Sequence, residues 1–181
     1  MKKLFKNILV SLAFTLICFA AQTVNAVEMD ARSAKTILAD QNLEHKVNGA
    51  LSAQVPSGSF TVVSYEARIL LAGQVLTIEE KSKAEAAVKN TVGVHAVWNY
   101  LTVGPVEDAG QISKDAAITT AVKGKLMLQK GINSGNIKVV TSNKVVYLLG
   151  KRVGNPTKVN KAIKEISQLD GVSNVVNLIG K

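Results

Sequence analysis

The closing stretch GVSNVVNLIG, residues 171–180, nearly restates GVHAVWNYLT, which starts at residue 93. A chain that writes one strand-like segment twice is built from two copies of a small unit. The correspondence runs through most of the chain. Leu43, Val47 and Leu51 fall on Ile118, Val122 and Leu126 at an offset of 75. Phe60, Val62, Ile69, Leu71 and Gly73 fall on Ile137, Val139, Val146, Leu148 and Gly150 at 77. Ala84, Val88, Gly93, Val94, Val97, Asn99 and Leu101 fall on Ala162, Ile166, Gly171, Val172, Val175, Asn177 and Ile179 at 78. The offset steps only between elements, as loop insertions require.

Each copy has one grammar. Leu43, Val47 and Leu51 stand four apart and share a helix face. Two short strands follow, SFTVVS and RILLAG in the first copy, NIKVVT and KVVYLLG in the second. Turns fall at Tyr65-Glu66-Ala67 and Ser142-Asn143. A second helix spans about 78–90 and about 157–168, the latter behind Asn155-Pro156, a capping residue with proline in the first turn. A Gly-led strand closes each unit. The order α-β-β-α-β predicts an α+β fold of two tandem modules, each a three-stranded sheet with two helices on one face.

The boundaries follow. Lys2, Lys3 and Lys6 precede an apolar run from Ile8 to Ala21, and Val24-Asn25-Ala26 offers a cleavage site, so residues 1–26 read as a Sec-type signal peptide. Residues 27–38 form an N-terminal segment, 39–103 the first module, 104–113 a polar linker and 114–181 the second module. Cys18, the single cysteine, lies in the signal segment behind bulky Ile17, which argues against lipidation. The mature chain then has neither disulfide nor thiolate chemistry.

Period-2 alternation turns Val62, Ile69, Leu71, Val97 and Leu101 toward the helices. The opposite sheet face is also apolar: Leu70, Trp98 and Tyr100 in the first copy, Val145, Tyr147, Leu149, Val176 and Leu178 in the second. A face of that size is expected to be covered by the other module, the linker or a second chain. Trp98 accordingly reads as interface core rather than a ligand platform.

The α-β-β-α-β order, the hairpin glycines Gly73 and Gly150 and the closing GVxxVxN at Gly93–Asn99 and Gly171–Asn177 resemble the BON module. The doubled pattern is similar to the tandem-BON periplasmic envelope proteins over nearly all of the mature chain. That resemblance implies a non-enzymatic periplasmic protein serving envelope integrity and osmotic or membrane stress tolerance. It also implies that the first helix of the second module binds anionic phospholipid. At Ala117 this chain lacks an aromatic that lipid-binding members carry.

The copies differ most in charge. Residues 27–106 hold seven Lys/Arg against eight Asp/Glu, and residues 107–181 hold twelve against five. In a periplasmic setting nucleic acid is not the expected partner; a lipid headgroup or an anionic polysaccharide is, and with the resemblance the expectation is anionic phospholipid such as phosphatidylglycerol or cardiolipin. On a helical wheel anchored at Ile118, Met127 points about opposite the core, with Lys123 and Lys130 within about 60° of it. An apolar tip between ammonium groups suits an interface, the tip entering the acyl boundary and the lysines reaching phosphates. Lys158, Lys161 and Lys164 add a basic stripe on the second helix. A solvated basic face with one stray hydrophobe remains the plain alternative. Lys125 falls close to the core direction on the same wheel, where a lysine does not belong.

Catalysis has few candidates. His45 and His95 have no counterparts in the other copy and no metal-ligand spacing, and Glu79-Glu80 suits a helix start. No P-loop, GxSxG or HExxH occurs. The expectation is a non-enzyme without cofactor, metal or small-molecule substrate, in the periplasm, soluble or peripherally attached to the inner leaflet of the outer membrane. Two functions follow: docking on anionic phospholipid through the basic second module, or a chaperone-like module binding envelope protein clients on the apolar sheet faces.

Overall fold

The computed structural model describes residues 32–106 and 108–181, so the segment read as a signal peptide, with Cys18, lies outside the described residues. The first copy runs α1 (Ala34–Gln54), β1 (Ser59–Tyr65), β2 (Arg68–Val75), α2 (Ile78–Lys89) and β3 (Ala96–Val103). The second repeats it as α3 (Ala109–Met127), β4 (Ile137–Ser142), β5 (Val145–Gly150), α4 (Pro156–Ile166) and β6 (Asn174–Ile179). The fold is α+β, two tandem modules with one three-stranded sheet each.

In both sheets the second hairpin strand is central. β2 pairs antiparallel with β1 and parallel with β3, and β5 does the same with β4 and β6. Parallel pairing demands a crossover, and α2 and α4 supply it, so both helices of a copy lie on one sheet face. Leu43, Val47 and Leu51 pack there on Ile69, Leu71, Ala84 and Leu101. Ile118, Val122 and Leu126 pack on Val146, Leu148, Ala162 and Ile166. β2 and β5 are covered on both faces and therefore read as unbroken apolar runs.

The remaining sheet faces meet each other. Leu70, Trp98 and Tyr100 from the first sheet join Val145, Tyr147, Leu149, Val176 and Leu178 from the second in a third core, which also takes in Tyr65 and Val140. The Tyr100 and Tyr147 rings tilt at 58° with centroids 5.3 Å apart. Lys138 reaches Glu44 at 3.4 Å and Lys151 pairs with Glu66 across the rim. The layers are thus helix, sheet, sheet, helix, and the cover for each apolar face is the other copy.

Local chemistry sets the details, and three of them depart from the sequence reading. Both leading helices start early. Ser33 accepts the Thr36 amide at 3.1 Å and Asp108 accepts the Gln111 amide at 2.7 Å. Residues 109–113, read as linker, are helical as a result. α3 also ends before Lys130: Leu128 caps it, and Gly131 at φ +85° turns the chain into the Ile132–Gly154 bridge. Lys130 is therefore off the helical wheel that placed it.

The hairpin turns fall where the sequence places them, with an unusual backbone. Glu66, Ala67, Asn143 and Lys144 all take positive φ without a glycine among them. A buried carboxylate holds each turn. Asp40 accepts the Glu66 and Ala67 amides, both at 2.9 Å, together with the Ser64 hydroxyl and the Arg32 guanidinium. Asp115 accepts the Lys144 amide at 3.0 Å and Gln111 at 2.7 Å. The two acids stand at the repeat offset of 75.

Gly73 and Gly150 are the third departure. Gly73 lies inside β2 and Gly150 ends β5, neither in a hairpin turn, and each faces a carbonyl at the start of the neighbouring strand. A Cβ on Gly73 would sit 2.1 Å from the Ser59 oxygen, and one on Gly150 2.4 Å from the Asn136 oxygen. Gly73 is also at φ +118°. Gly73→Ala is expected to cost about 1–3 kcal/mol from backbone strain alone, with the overlap added. It would appear as a lower thermal midpoint by circular dichroism, and an unchanged midpoint would contradict the close approach.

The repeated asparagines have a physical reason. Asn99 Oδ1 accepts the Leu101 amide at 3.1 Å, and Asn177 Oδ1 accepts the Ile179 amide at 3.0 Å. Both sit on edge strands, so each side chain occupies an amide of its own strand.

Candidate functional site

The end of α3 packs against α4: Lys125 and Gln129 reach Glu165 in the last turn of α4, and the loop at Gly131 lies against Lys158 in its first. Met127 closes α3 and is 75% exposed, and Leu128 beside it is 83% exposed. Sequence reasoning singled out Met127 and missed Leu128, because a continuing wheel does not show where the helix stops. Elsewhere the outer face of α3 exposes the small residues Ala116, Ala117, Thr120 and Gly124, with Ile112 and Lys114 exposed toward its start. Its one acid, Asp115, is buried on the hairpin turn. No carboxylate of α3 therefore stands beside Met127.

Lysines occupy the preceding turn, the following loop and the neighbouring helix. Lys123 is half-buried one helical turn before Met127, and Lys130 is exposed in the loop just after it. Lys158 stretches over Gly131, its Nζ 2.7 Å from where a Cβ there would stand, which brings it to the same loop. Lys161 pairs with Glu165 at 4.0 Å. Lys164 is exposed in the last turn of α4, and its ammonium group makes no ion pair among the described residues.

Glu165 organises the seam. It pairs with Lys125 at 3.3 Å and accepts from Gln129 Nε2 at 2.9 Å. This accounts for the misplaced lysine on the wheel. α3 runs unbroken through Gly124, and Lys125 lies half-buried between α3 and α4 with its charge matched. The same carboxylate fixes the turn that carries Leu128. The arrangement presents two adjacent exposed apolar side chains at the end of α3, with Lys123 one turn before them, Lys130 in the following loop and Lys158 over Gly131 of that loop.

The other residues of the sequence reading are spread apart. Leu70, Trp98, Tyr100, Val145, Tyr147, Leu149, Val176 and Leu178 gather between the sheets, on no open surface. His45 is exposed on α1, and His95 opens β3 from the loop after α2, its backbone amide bonded to Ala67. Glu79 and Glu80 occupy the first turn of α2, where Thr77 caps and Glu80 accepts the Leu76 amide at 2.7 Å. Hydrogen bonding to the Ser57 hydroxyl holds the Glu80 carboxyl below its ordinary range. Among the described residues no three His, Cys, Asp or Glu side chains converge as metal ligands, and no helix is long and apolar enough to cross a membrane.

A doubled α-β-β-α-β unit with sheets back to back and glycine-led closing strands is a tandem-BON architecture. The BON domain family model matches residues 39–105 and again 114–179, and the chain belongs to that family. It is 37% identical over 155 residues to the outer membrane lipoprotein DolP of Haemophilus influenzae, covering 84% of this chain and 79% of that one. It is 34% identical over 154 residues to the 21 kDa hemolysin of Actinobacillus pleuropneumoniae, covering 83% and 78%. The osmotically-inducible protein Y of Escherichia coli is 29% identical over 169 residues, covering 87% and 82%.

Proposed function

We propose that this chain is a non-enzymatic envelope protein that docks peripherally on anionic phospholipid through the corner where α3 meets α4. The observation that carries the reading is the exposed Met127–Leu128 pair, with Lys123, Lys130 and Lys158 around it. Each lysine held near an anionic surface contributes about 1 kcal/mol at best, so several on one side give a salt-sensitive attraction. The two apolar side chains add area that enters the acyl boundary. The relatives named as an outer membrane lipoprotein and an osmotically-inducible protein support periplasmic placement at the outer membrane and a role in envelope integrity or osmotic stress.

A client-binding role on the apolar sheet faces finds less support. Tyr147 is 4% exposed and Leu178 2%, both turned inward onto the opposite sheet. Such a role would require the copies to part.

Co-sedimentation with vesicles tests the docking. Binding is expected to rise with phosphatidylglycerol content, fall with salt, and drop about 10–100-fold in a Lys123→Glu, Met127→Glu, Lys130→Glu triple variant. Equal binding to neutral vesicles, or none at low salt, would overturn it.

A further inference from the structure

The first copy carries its own local basic character, concealed by its balanced total. α1 has two acids. Asp40 is buried on the hairpin turn, and Glu44 accepts the Ser64 amide at 2.7 Å and pairs with Lys138. The exposed surface of α1 is thus free of carboxylates and holds Lys35, Lys46 and His45. Beside it lies a groove of about 460 Å³, walled by α1 on one side and by the Glu66-Ala67 turn and the loop after α2 on the other.

The groove has an apolar floor and cationic ends. Ala39 and Leu43 line it from the helix, and Ala67 and Val92 face them. Val92 is 85% exposed, a large hydrophobe at the rim of a mostly apolar channel. Lys35 and Lys46 stand 11 residues apart on α1, which puts them within about 20° in azimuth and about 16 Å apart along the axis. Neither makes an ion pair among the described residues. The two acids that reach the groove are already matched: Asp40 by Arg32, and Glu66 by Lys151 and Arg68. Uncommitted charge there is positive.

The second copy does not repeat these residues. At the repeat offsets, Lys35 and Lys46 become Gly110 and Ala121, and Val92 becomes Asp170. The apolar rim and both cations are therefore particular to the first copy, on different elements from the α3–α4 corner.

We infer that this groove binds a single anionic amphiphile, its chain along Ala39, Leu43 and Val92 and its phosphate or carboxylate head on Lys35 or Lys46. An apolar channel with unpaired ammonium groups at its ends complements that chemistry: the floor removes alkyl surface from water and the lysines meet the head. The site is independent of the α3–α4 docking corner, and the two fail separately.

The test is amide chemical-shift mapping of the full mature chain with dihexanoyl-phosphatidylglycerol below its micellar concentration. Shifts are expected at Ala39, Leu43, Val92 and Gly93. A Lys35→Glu, Lys46→Glu double variant is expected to weaken that set about tenfold or more. A Met127→Glu, Lys130→Glu variant should leave the set unchanged. Val92→Glu, on an exposed rim position, provides a second groove variant whose fold is read from the remaining spectrum. Equal shifts with dihexanoyl-phosphatidylcholine would overturn the cationic role, and equal shifts with glycerol 3-phosphate would overturn the apolar one. Shifts that survive both groove variants, or that vanish with the Met127 variant, would remove the site.

Discussion

Leu149→Glu is expected to break the two copies apart and to destabilise the whole chain. Leu149 is fully buried in the core between the sheets, on the central strand β5. Removing its side chain alone, as Leu149→Ala, costs about 2–5 kcal/mol. A carboxylate adds the penalty of burying a charge with no partner, since Tyr100, Tyr147 and leucines surround the position. Trp98 is the single tryptophan and lies in the same core, so its fluorescence reads the event directly. The wild-type chain should unfold in urea with one tryptophan transition. The variant should show red-shifted emission before denaturant is added, with a lower midpoint. Unaltered Trp98 emission in a folded variant would mean that the sheets are not stacked.

Asp40→Ala is expected to be nearly as severe, although it removes a charge from a helix. Asp40 is 3% exposed and holds the left-handed Glu66-Ala67 turn, the Ser64 hydroxyl and Arg32 together. Arg32 lies 4.5 Å over the Tyr65 ring, so the loss would reach the inter-sheet core as well. Breaking a buried pair from one side costs about 3–5 kcal/mol, against a total stability of about 5–15 kcal/mol for a domain. Burial resists ionisation of Asp40, but the Ala67 amide, the Ser64 hydroxyl, the Glu66 amide and Arg32 outweigh it and hold the carboxyl below its ordinary range. The sign follows. A depressed folded pKa contributes stability that is present above the unfolded value, near 3.9, and is lost as pH falls through the folded one. Thermal midpoints from pH 7 downward should therefore fall below about pH 4 in the wild type, and less so in Asp40→Asn. Glu80, held low chiefly by the Ser57 hydroxyl, and Glu85, held low chiefly by Lys89, contribute equally to both proteins. The difference between the two curves isolates Asp40. Parallel acid limbs would show that its ionisation does not hold the turn.

Both residues show what a sequence can and cannot make legible here. Leu149 belongs to a period-2 pattern, and its apolar face was readable without coordinates. Which surface covers that face was not, because alternation marks a side of a sheet and carries no record of its neighbour. Asp40 and Asp115 stand at the same offset as the core leucines, a signal that carries little weight by itself because acids on helices are ordinarily solvated. Ser33 and Asp108 repeat at that offset too, but the first turns behind them lack apolar periodicity, so the pattern alone does not mark the caps. At the α3–α4 corner, the wheel placed Met127 correctly and misjudged its neighbours. Lys130 is past the helix end, and Lys125 is explained only by Glu165, which lies 40 residues away. Wheels describe one helix, whereas a corner is made by two.

The back-to-back stacking of the sheets has a consequence for posture. Because each copy spends its inner face on its twin, the helical sides point away from one another like the covers of a closed book. A molecule lying on a bilayer by the second cover must turn the first toward the aqueous space. Two copies of one fold closed in this way give an object with two opposite helical sides of unlike charge, and if the second side is the one that docks, whatever the first captures would be presented to solvent.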